Sequence, residues 1–101
     1  MEISLKDLGK TVYCIDEDGL FILREKVHAV GDGFFIPEGF LDYRYEWQEI
    51  DFDITYRTLK EAKSVLREIY LDKRALKEVP VMHLVQTLED EWTYKEKEED
   101  L

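Results

Sequence analysis

Alternating apolar and polar positions in the first half of the chain predict a series of short β-strands. Residues 11–15 combine β-branched and aromatic side chains, and residues 20–30 alternate apolar with charged or polar ones. The acidic turn 16–19 between these runs predicts a hairpin, because Gly19 can adopt a positive φ. Glu25 interrupts the apolar face of the second run, which predicts a bulge or a sheet edge near it.

The same alternation continues after the hairpin and completes a small sheet. Residues 34–36 begin a third strand, which Pro37 ends or places at a sheet edge because proline cannot donate to a β-ladder. Residues 43–47 alternate aromatic with charged side chains, and residues 50–54 alternate apolar side chains with aspartates. The pattern predicts a small antiparallel sheet or a partly open barrel of four to five strands.

A helix should follow the strands and cover the sheet. Thr58 and Glu61 have the spacing of a capping box, in which the threonine caps the helix and the glutamate bonds back to it. The apolar positions between about residue 59 and about residue 76 then fall on one side of a helix. They are Leu59, Ala62, Val65, Leu66, Ile69 and Leu76. This helix packed on the sheet makes the predicted fold class α+β.

The segment after Pro80 fits two periodicities. Val81, Leu84, Val85, Leu88 and Trp92 recur at helical spacing, with Pro80 suited to the first turn. Residues 79–87 also alternate as a strand would. We favour a further C-terminal helix because the apolar spacing persists as far as Trp92. Residues 1–94 then form a single domain, and the acidic tail 95–101 has nothing to bury and should fray.

Composition is consistent with one folded domain. The chain has 101 residues, of which 45% are hydrophobic and 38% charged, enough for a single modest core. It lacks an apolar run of roughly 18 residues that could cross a bilayer, and its first residues lack a signal-peptide pattern. Cys14 is the only cysteine, so an internal disulfide is excluded. We therefore expect a cytoplasmic protein and no membrane partner.

The net charge of −10 is unevenly distributed. Residues 1–56 carry 13 acids and 5 bases, residues 57–77 carry 3 acids and 7 bases, and residues 78–101 carry 8 acids and 2 bases. Such a field repels nucleic acid overall and favours basic protein surfaces. The basic segment contains a stripe on the predicted helix, formed by Lys60, Lys63, Arg67 and Arg74. This basic stripe could track phosphates, but we favour its neutralising the acidic sheet or tail beside it.

Acids and aromatics crowd the predicted strand surface between residues 42 and 53. Carboxylates spaced along a sheet can replace phosphates in a nucleic-acid channel, and aromatic side chains provide anchors. The predicted partner-binding residues are Asp42, Tyr43, Tyr45, Glu46, Trp47, Glu49, Asp51 and Asp53. The alternative is a solvated acidic face with its aromatic side chains turned into the core.

No pattern of catalytic or metal-binding residues is present, and we expect no cofactor. Cys14 lies within an apolar run and is interpreted as a buried small hydrophobe. His28 and His83 have no cysteine or histidine at metal-ligand spacing. Asp51 and Asp53 could raise each other's pKa on a shared strand face, but such pairs arise easily in so acidic a chain. The sequence therefore indicates a protein that is not an enzyme.

Three short segments carry a resemblance to a known group of proteins. They are the strand 12–15 (V-Y-C-I), the acidic turn Asp18-Gly19 with Val27 after it, and the T-L-K-E-A start of the helix at 58–62. On these residues the chain resembles small proteins of phages, prophages and mobile elements of Gram-positive bacteria. The resemblance covers roughly residues 11–70 and implies a strand-rich domain closed by a helix. Proteins of such settings are often similar to anti-CRISPR inhibitors, which plug nucleic-acid channels.

These features lead to one leading hypothesis and two alternatives. We expect an acidic binding protein that inhibits a basic, nucleic-acid-binding host defence protein through protein–protein contacts, without binding nucleic acid itself. One alternative is a small nucleic-acid-binding or regulatory barrel that uses the basic stripe. The other is a homo-oligomeric assembly protein that self-associates through the apolar segment 81–92.

Overall fold

The computed structural model describes residues 1–38, 48–88 and 90–97. Within these ranges the chain forms seven strands and one α-helix, and two short 3₁₀ helices cover Leu5–Asp7 and Phe52–Ile54. The strands and the helix are β1 (Thr11–Asp16), β2 (Phe21–Val30), β3 (Phe34–Pro37), β4 (Ile50–Asp51), β5 (Thr55–Tyr56), α1 (Leu59–Ala75), β6 (Met82–Leu88) and β7 (Glu91–Glu96).

The long strand β2 organises an open antiparallel sheet. One side of β2 pairs with β1, from Phe21 to Lys26. Its other side is shared by two strands: β7 pairs with Phe21 and Ile22, and β3 pairs with the end of β2 from Val27 to Val30. The sheet order is β4-β3-β2-β1-β5, with β6 attached to the outer side of β7. An α+β fold with an antiparallel sheet and one main helix is therefore confirmed.

The two faces of the sheet bury two separate cores. Side chains alternate across a strand, so Val12 and Cys14 of β1 pack with Phe35 in one core. Ile15 and Ile22 lie on the opposite face and pack beneath α1 in the other core. The predicted bulge near Glu25 is displaced along β2, because the register irregularity lies between Val27 and Ala29.

Helix α1 begins where its capping residues predict. The hydroxyl of Thr58 accepts a hydrogen bond from the Glu61 N–H at 3.2 Å. Ala62, Leu66 and Tyr70 are the buried side chains of the helix. Leu76, which the apolar pattern placed on the same face, is 69% exposed. The expected burial of Leu76 is therefore wrong: this residue is the helical C-cap of α1, and its N–H still donates to the Asp72 carbonyl, but its side chain is not part of the core.

The predicted C-terminal helix is wrong, and the alternative strand interpretation is correct. Strands β6 (Met82–Leu88) and β7 (Glu91–Glu96) pair as an antiparallel hairpin, and Asp90, just before β7, has a positive φ of 55°. Two tertiary contacts stabilise the strand conformation. Strand β7 pairs with β2, and the Met82 N–H donates to the Tyr70 hydroxyl at 2.8 Å. Strand β7 also continues to Glu96, so that its last two residues belong to the predicted tail.

The strand predicted over residues 50–54 is interrupted. Only Ile50 and Asp51 are paired, and a 3₁₀ helix follows before β5. The Phe52 N–H donates to the Gly33 carbonyl at 3.0 Å, and the Thr55 hydroxyl donates to the Asp51 carbonyl at 2.8 Å. These bonds redirect the chain from β4, which lies beside β3, to β5, which lies beside β1. The strand predicted at 43–47 lies outside the described residues.

Candidate functional site

The β1–β2 turn presents carboxylates at one end of the hairpin. Asp16 Oδ1 accepts a hydrogen bond from the Gly19 N–H at 2.8 Å, so this carboxylate holds the turn. Glu17 and Asp18 follow it and are exposed. The turn therefore separates a structural carboxylate from two that face solvent.

Tyr56 of β5 lies among acids from three different elements. Burial raises the pKa of Tyr56, and the negative charges of Glu17, Asp53 and Glu61 raise it further. These carboxylates come from the β1–β2 turn, the second 3₁₀ helix and the first turn of α1. The strand pairing explains this arrangement, because Tyr56 lies opposite Tyr13 of β1 and α1 begins shortly after β5. We define the acidic face as Asp16, Glu17, Asp18, Asp53 and Glu61.

A cavity of about 360 Å³ opens beside the acidic face. Its apolar lining includes Phe21, Leu23, Ile50 and Ile54, and the turn residues 16–18 line it as well. Its volume is within the range of small ligand sites. An apolar side chain entering it would contact these apolar residues, with the carboxylates of residues 16–18 on one side.

The structure describes three of the predicted partner-binding residues. Glu49, Asp51 and Asp53 are exposed. Asp51 ends β4 and Asp53 lies in the 3₁₀ helix, so the prediction that they share a strand face is wrong. The remaining predicted partner-binding residues, Asp42, Tyr43, Tyr45, Glu46 and Trp47, lie outside the described residues. The sequence indicates Glu61 only as a capping residue, because it lies far along the chain from the β1–β2 turn.

Two side chains of the basic stripe contact other residues of the protein, and the other two are exposed. The Lys63 ammonium lies 3.3 Å from the centroid of the Trp92 ring, a cation–π contact. Arg74 Nη1 donates to the Val79 carbonyl at 2.9 Å. Lys60 and Arg67 are exposed. Two of the four bases therefore make contacts within the molecule, which leaves a smaller surface for phosphates.

Other candidate chemistry is limited in the described part of the chain. Cys14 is buried, and desolvation raises the pKa of its thiol from 9.0 to about 12. The thiolate is the nucleophilic form of cysteine, so this side chain is suited to packing. No group of three or more potential metal ligands occurs among residues 1–38, 48–88 and 90–97. No helix in these ranges is both long and apolar enough to span a membrane.

Comparisons with protein-family models, with curated proteins and with solved structures each gave no significant match.

Proposed function

We propose that the protein is a non-enzymatic binding protein whose acidic face occupies a basic, nucleic-acid-binding surface of a partner protein. The observation that supports this proposal is the pairing of β5 with β1, directly before α1, which places Asp53 and Glu61 on elements next to the acidic β1–β2 turn; the negative charges of Glu17, Asp53 and Glu61 accordingly raise the pKa of Tyr56. A cluster of carboxylates can occupy positions that phosphates take on a basic protein.

The adjoining cavity strengthens the proposal because charge alone gives little specificity. Electrostatic attraction accelerates association, whereas a few well-packed side chains supply most of the binding energy. The cavity beside the turn is lined mainly by apolar side chains. An apolar or aromatic side chain of the partner would be buried there, while its basic neighbours pair with the acidic face.

The resemblance to phage and mobile-element proteins supplies the biological setting of the proposal. In that setting the partner is a host defence protein that binds nucleic acid. The acidic face would compete with nucleic acid for the same surface, as an anti-CRISPR inhibitor does.

To test this, the protein is immobilised and incubated at low salt with a nuclease-treated bacterial lysate. The partner protein that it captures is then purified. The purified partner is loaded with a labelled oligonucleotide and titrated with the acidic protein. We expect the oligonucleotide to be released, and we expect the affinity to fall as ionic strength rises. Binding that is insensitive to salt, or release of no oligonucleotide, would contradict nucleic-acid mimicry.

A pair of double variants tests the face itself. Glu17→Gln with Asp53→Asn removes two charges from the acidic face and leaves Asp16 in place to hold the turn. Glu78→Gln with Glu96→Gln removes two exposed charges near the other end of α1. Both proteins carry the same net charge. We expect the first to associate several-fold more slowly and the second to match the wild type; equal rates would exclude the acidic face.

Nucleic-acid binding by the basic stripe is the second candidate, and exposure of Lys60 and Arg67 is the observation in its favour. It predicts that the unmodified protein binds a labelled oligonucleotide at low salt. Lys60→Glu with Arg67→Glu should then abolish that binding, because each change replaces a phosphate-binding charge with a repulsive one.

A further inference from the structure

Strand β6 forms an edge of the sheet in the described part of the chain. It pairs with β7 on one side, and no other described strand pairs with it. Residues 79–88, which include the whole of β6, contain no Asp, Glu, Lys or Arg and are the longest such run in the sequence. In a chain that is 38% charged, this run is conspicuous.

The outward backbone groups of β6 can be assigned from its pairing with β7. In an antiparallel ladder, hydrogen-bonded and non-hydrogen-bonded pairs alternate. The Lys97 N–H donates to the Val81 carbonyl, so His83 and Val85 also direct their backbone groups towards β7. Leu84 and Gln86 therefore direct their N–H and C=O groups away from β7, to the open edge.

At one end of β6 an outward backbone N–H has a hydrogen-bond partner within the described residues, and in the middle of the strand the outward N–H groups have none. The outward N–H of Met82 donates to the Tyr70 hydroxyl at 2.8 Å. No described residue does the same for Leu84 or Gln86. Edge strands are usually protected by charges, proline or bulges. Strand β6 has an irregularity between Gln86 and Leu88 but no charged residue and no proline.

We propose that two copies of the chain pair through their β6 edges in an antiparallel arrangement, with a two-fold axis at Val85. Leu84 of one copy then lies opposite Gln86 of the other, and the two such pairs exchange four backbone hydrogen bonds. The arrangement is closed, because each copy uses the same edge and the pairing satisfies both. No like charges meet along the paired strands.

The charges of the hairpin favour a second copy as the occupant. Lys95 and Lys97 lie on one face of β7 at the base of the hairpin, with Glu96 on the other face; Glu91 lies at the tip, next to Asp90, which pairs with Arg24. A two-fold axis at Val85 places Lys95 and Lys97 of one copy level with Glu91 of the other, with the two β6 strands between them. Asp16, at the start of the acidic turn, lies three strands away from Val85, because Asp16 pairs with Phe21, Phe21 with Thr93 and Thr93 with Val85. This is roughly 14 Å at ordinary strand spacing, and Asp53 and Glu61 lie beyond β1, beside β5. The strongest source of self-repulsion is therefore remote from the contact.

The dimer would carry two acidic faces at opposite ends. If the proposed function holds, the protein binds its partner bivalently, and linked sites raise avidity without any new contact. The pairing of β6 does not depend on that function. Glu17→Gln with Asp53→Asn should leave dimerisation intact, so the two proposals can fail separately.

Amide hydrogen exchange over a dilution series tests the pairing residue by residue. We expect the Leu84 and Gln86 amides to become slower to exchange as protein concentration rises. The Val85 amide, which already faces β7, should change far less. Exchange at Leu84 and Gln86 that is independent of concentration would overturn the proposal, and so would a strictly monomeric mass in sedimentation at every concentration.

Two variants disrupt the β6 edge in different ways, and circular dichroism checks that each still folds. Val85→Lys places two like charges opposite each other at the two-fold axis, which is destabilising between paired strands. Gln86→Pro removes an N–H that the monomer does not use. Leu5→Lys is the matched control, because Leu5 is 74% exposed on the first 3₁₀ helix. We expect both edge variants to be monomeric and the control to dimerise like the wild type. A dimer that persists in both edge variants, or open-ended assembly in place of a dimer, would refute pairing through β6.

Discussion

The guanidinium of Arg57 lies 2.7 Å from the carboxylate of Asp7 and joins the start of the chain to the segment before α1. Asp7 is 2% exposed, and its second oxygen accepts the Ser4 N–H at 2.9 Å. Arg57 also donates to the Glu2 carbonyl. The pair therefore fixes the N-terminal 3₁₀ helix against the junction between β5 and α1.

This pair predicts acid-dependent stability. Its hydrogen bonds lower the pKa of Asp7 from 3.8 to about 2, with Arg57 the largest cause. The stabilisation is complete above pH 3.8 and is lost as the pH falls through about 2. Asp7→Asn should lower the free energy of unfolding by about 2 kcal/mol at neutral pH. Its stability should also change less than that of the wild type over this acid range.

Denaturant unfolding at several pH values measures the effect. Asp32→Asn is the control, because Asp32 is an exposed carboxylate in the β2–β3 turn and should change stability little. Parallel acid profiles for Asp7→Asn and the wild type would show that the Arg57 contact does not contribute to stability.

Tyr70 connects α1 to the β6–β7 hairpin and predicts a second, local effect. Its ring stacks on Tyr94 with centroids 4.4 Å apart, and its hydroxyl accepts the Met82 N–H at 2.8 Å. Tyr70→Phe keeps the stacking but leaves that N–H without its partner. We expect a loss of about 1 kcal/mol in the free energy of unfolding, together with faster hydrogen exchange at the Met82 amide. An unchanged Met82 amide would show that the hydroxyl does not satisfy it.

The sequence predicts helix α1 correctly but not the β6–β7 hairpin, because only the helix has a local signal. The signal for α1 is local, since Thr58 caps the N–H of Glu61 within a few residues. Residues 81–92 fit both a helix and a strand, and local propensity cannot choose between them. The strand forms because β7 pairs with β2, about 70 residues earlier in the chain. Such tertiary pairing is not visible in a local pattern.

The sequence predicts that the candidate site is acidic, but not which residues come together to form it. Its acidity follows from the composition of the turn and of the segment around Asp53. The convergence of Glu17, Asp53 and Glu61 on Tyr56 requires β5 to pair with β1 and α1 to follow it directly. The expected partnership of Asp51 with Asp53 assumed a continuous strand, and the 3₁₀ helix at Phe52–Ile54 separates them.

Replacing Glu25 with glutamine should stabilise the protein. Burial raises the pKa of its carboxyl above 4.5, and the charge of Glu91 raises it further. A raised pKa means that the folded state is favoured when Glu25 is protonated, and that stability declines as the pH rises through the folded pKa. Glu25→Gln should therefore increase the free energy of unfolding at neutral pH by about 0.5 kcal/mol, the size of a screened charge interaction. Thermal unfolding at neutral pH and below pH 4.5 tests this, because the advantage should shrink in acid. An equal advantage at both pH values would mean that the charge of Glu25 is not its cause.

Cys14 should resist alkylation as long as the fold is intact. Its sulfur lies 3.9 Å from the Thr55 hydroxyl in the buried core. Raising the pKa from 9.0 to about 12 lowers the thiolate fraction at neutral pH about a thousandfold, and burial restricts access as well. We expect iodoacetamide to label the folded protein at least a thousandfold more slowly than the denatured protein. Cys14→Ser with Ser64→Cys moves the thiol to an exposed position on α1, and this variant should be labelled at the rate of the denatured chain. Rapid labelling of Cys14 in the native protein would show that the core opens readily there, because only the thiolate of an accessible cysteine reacts.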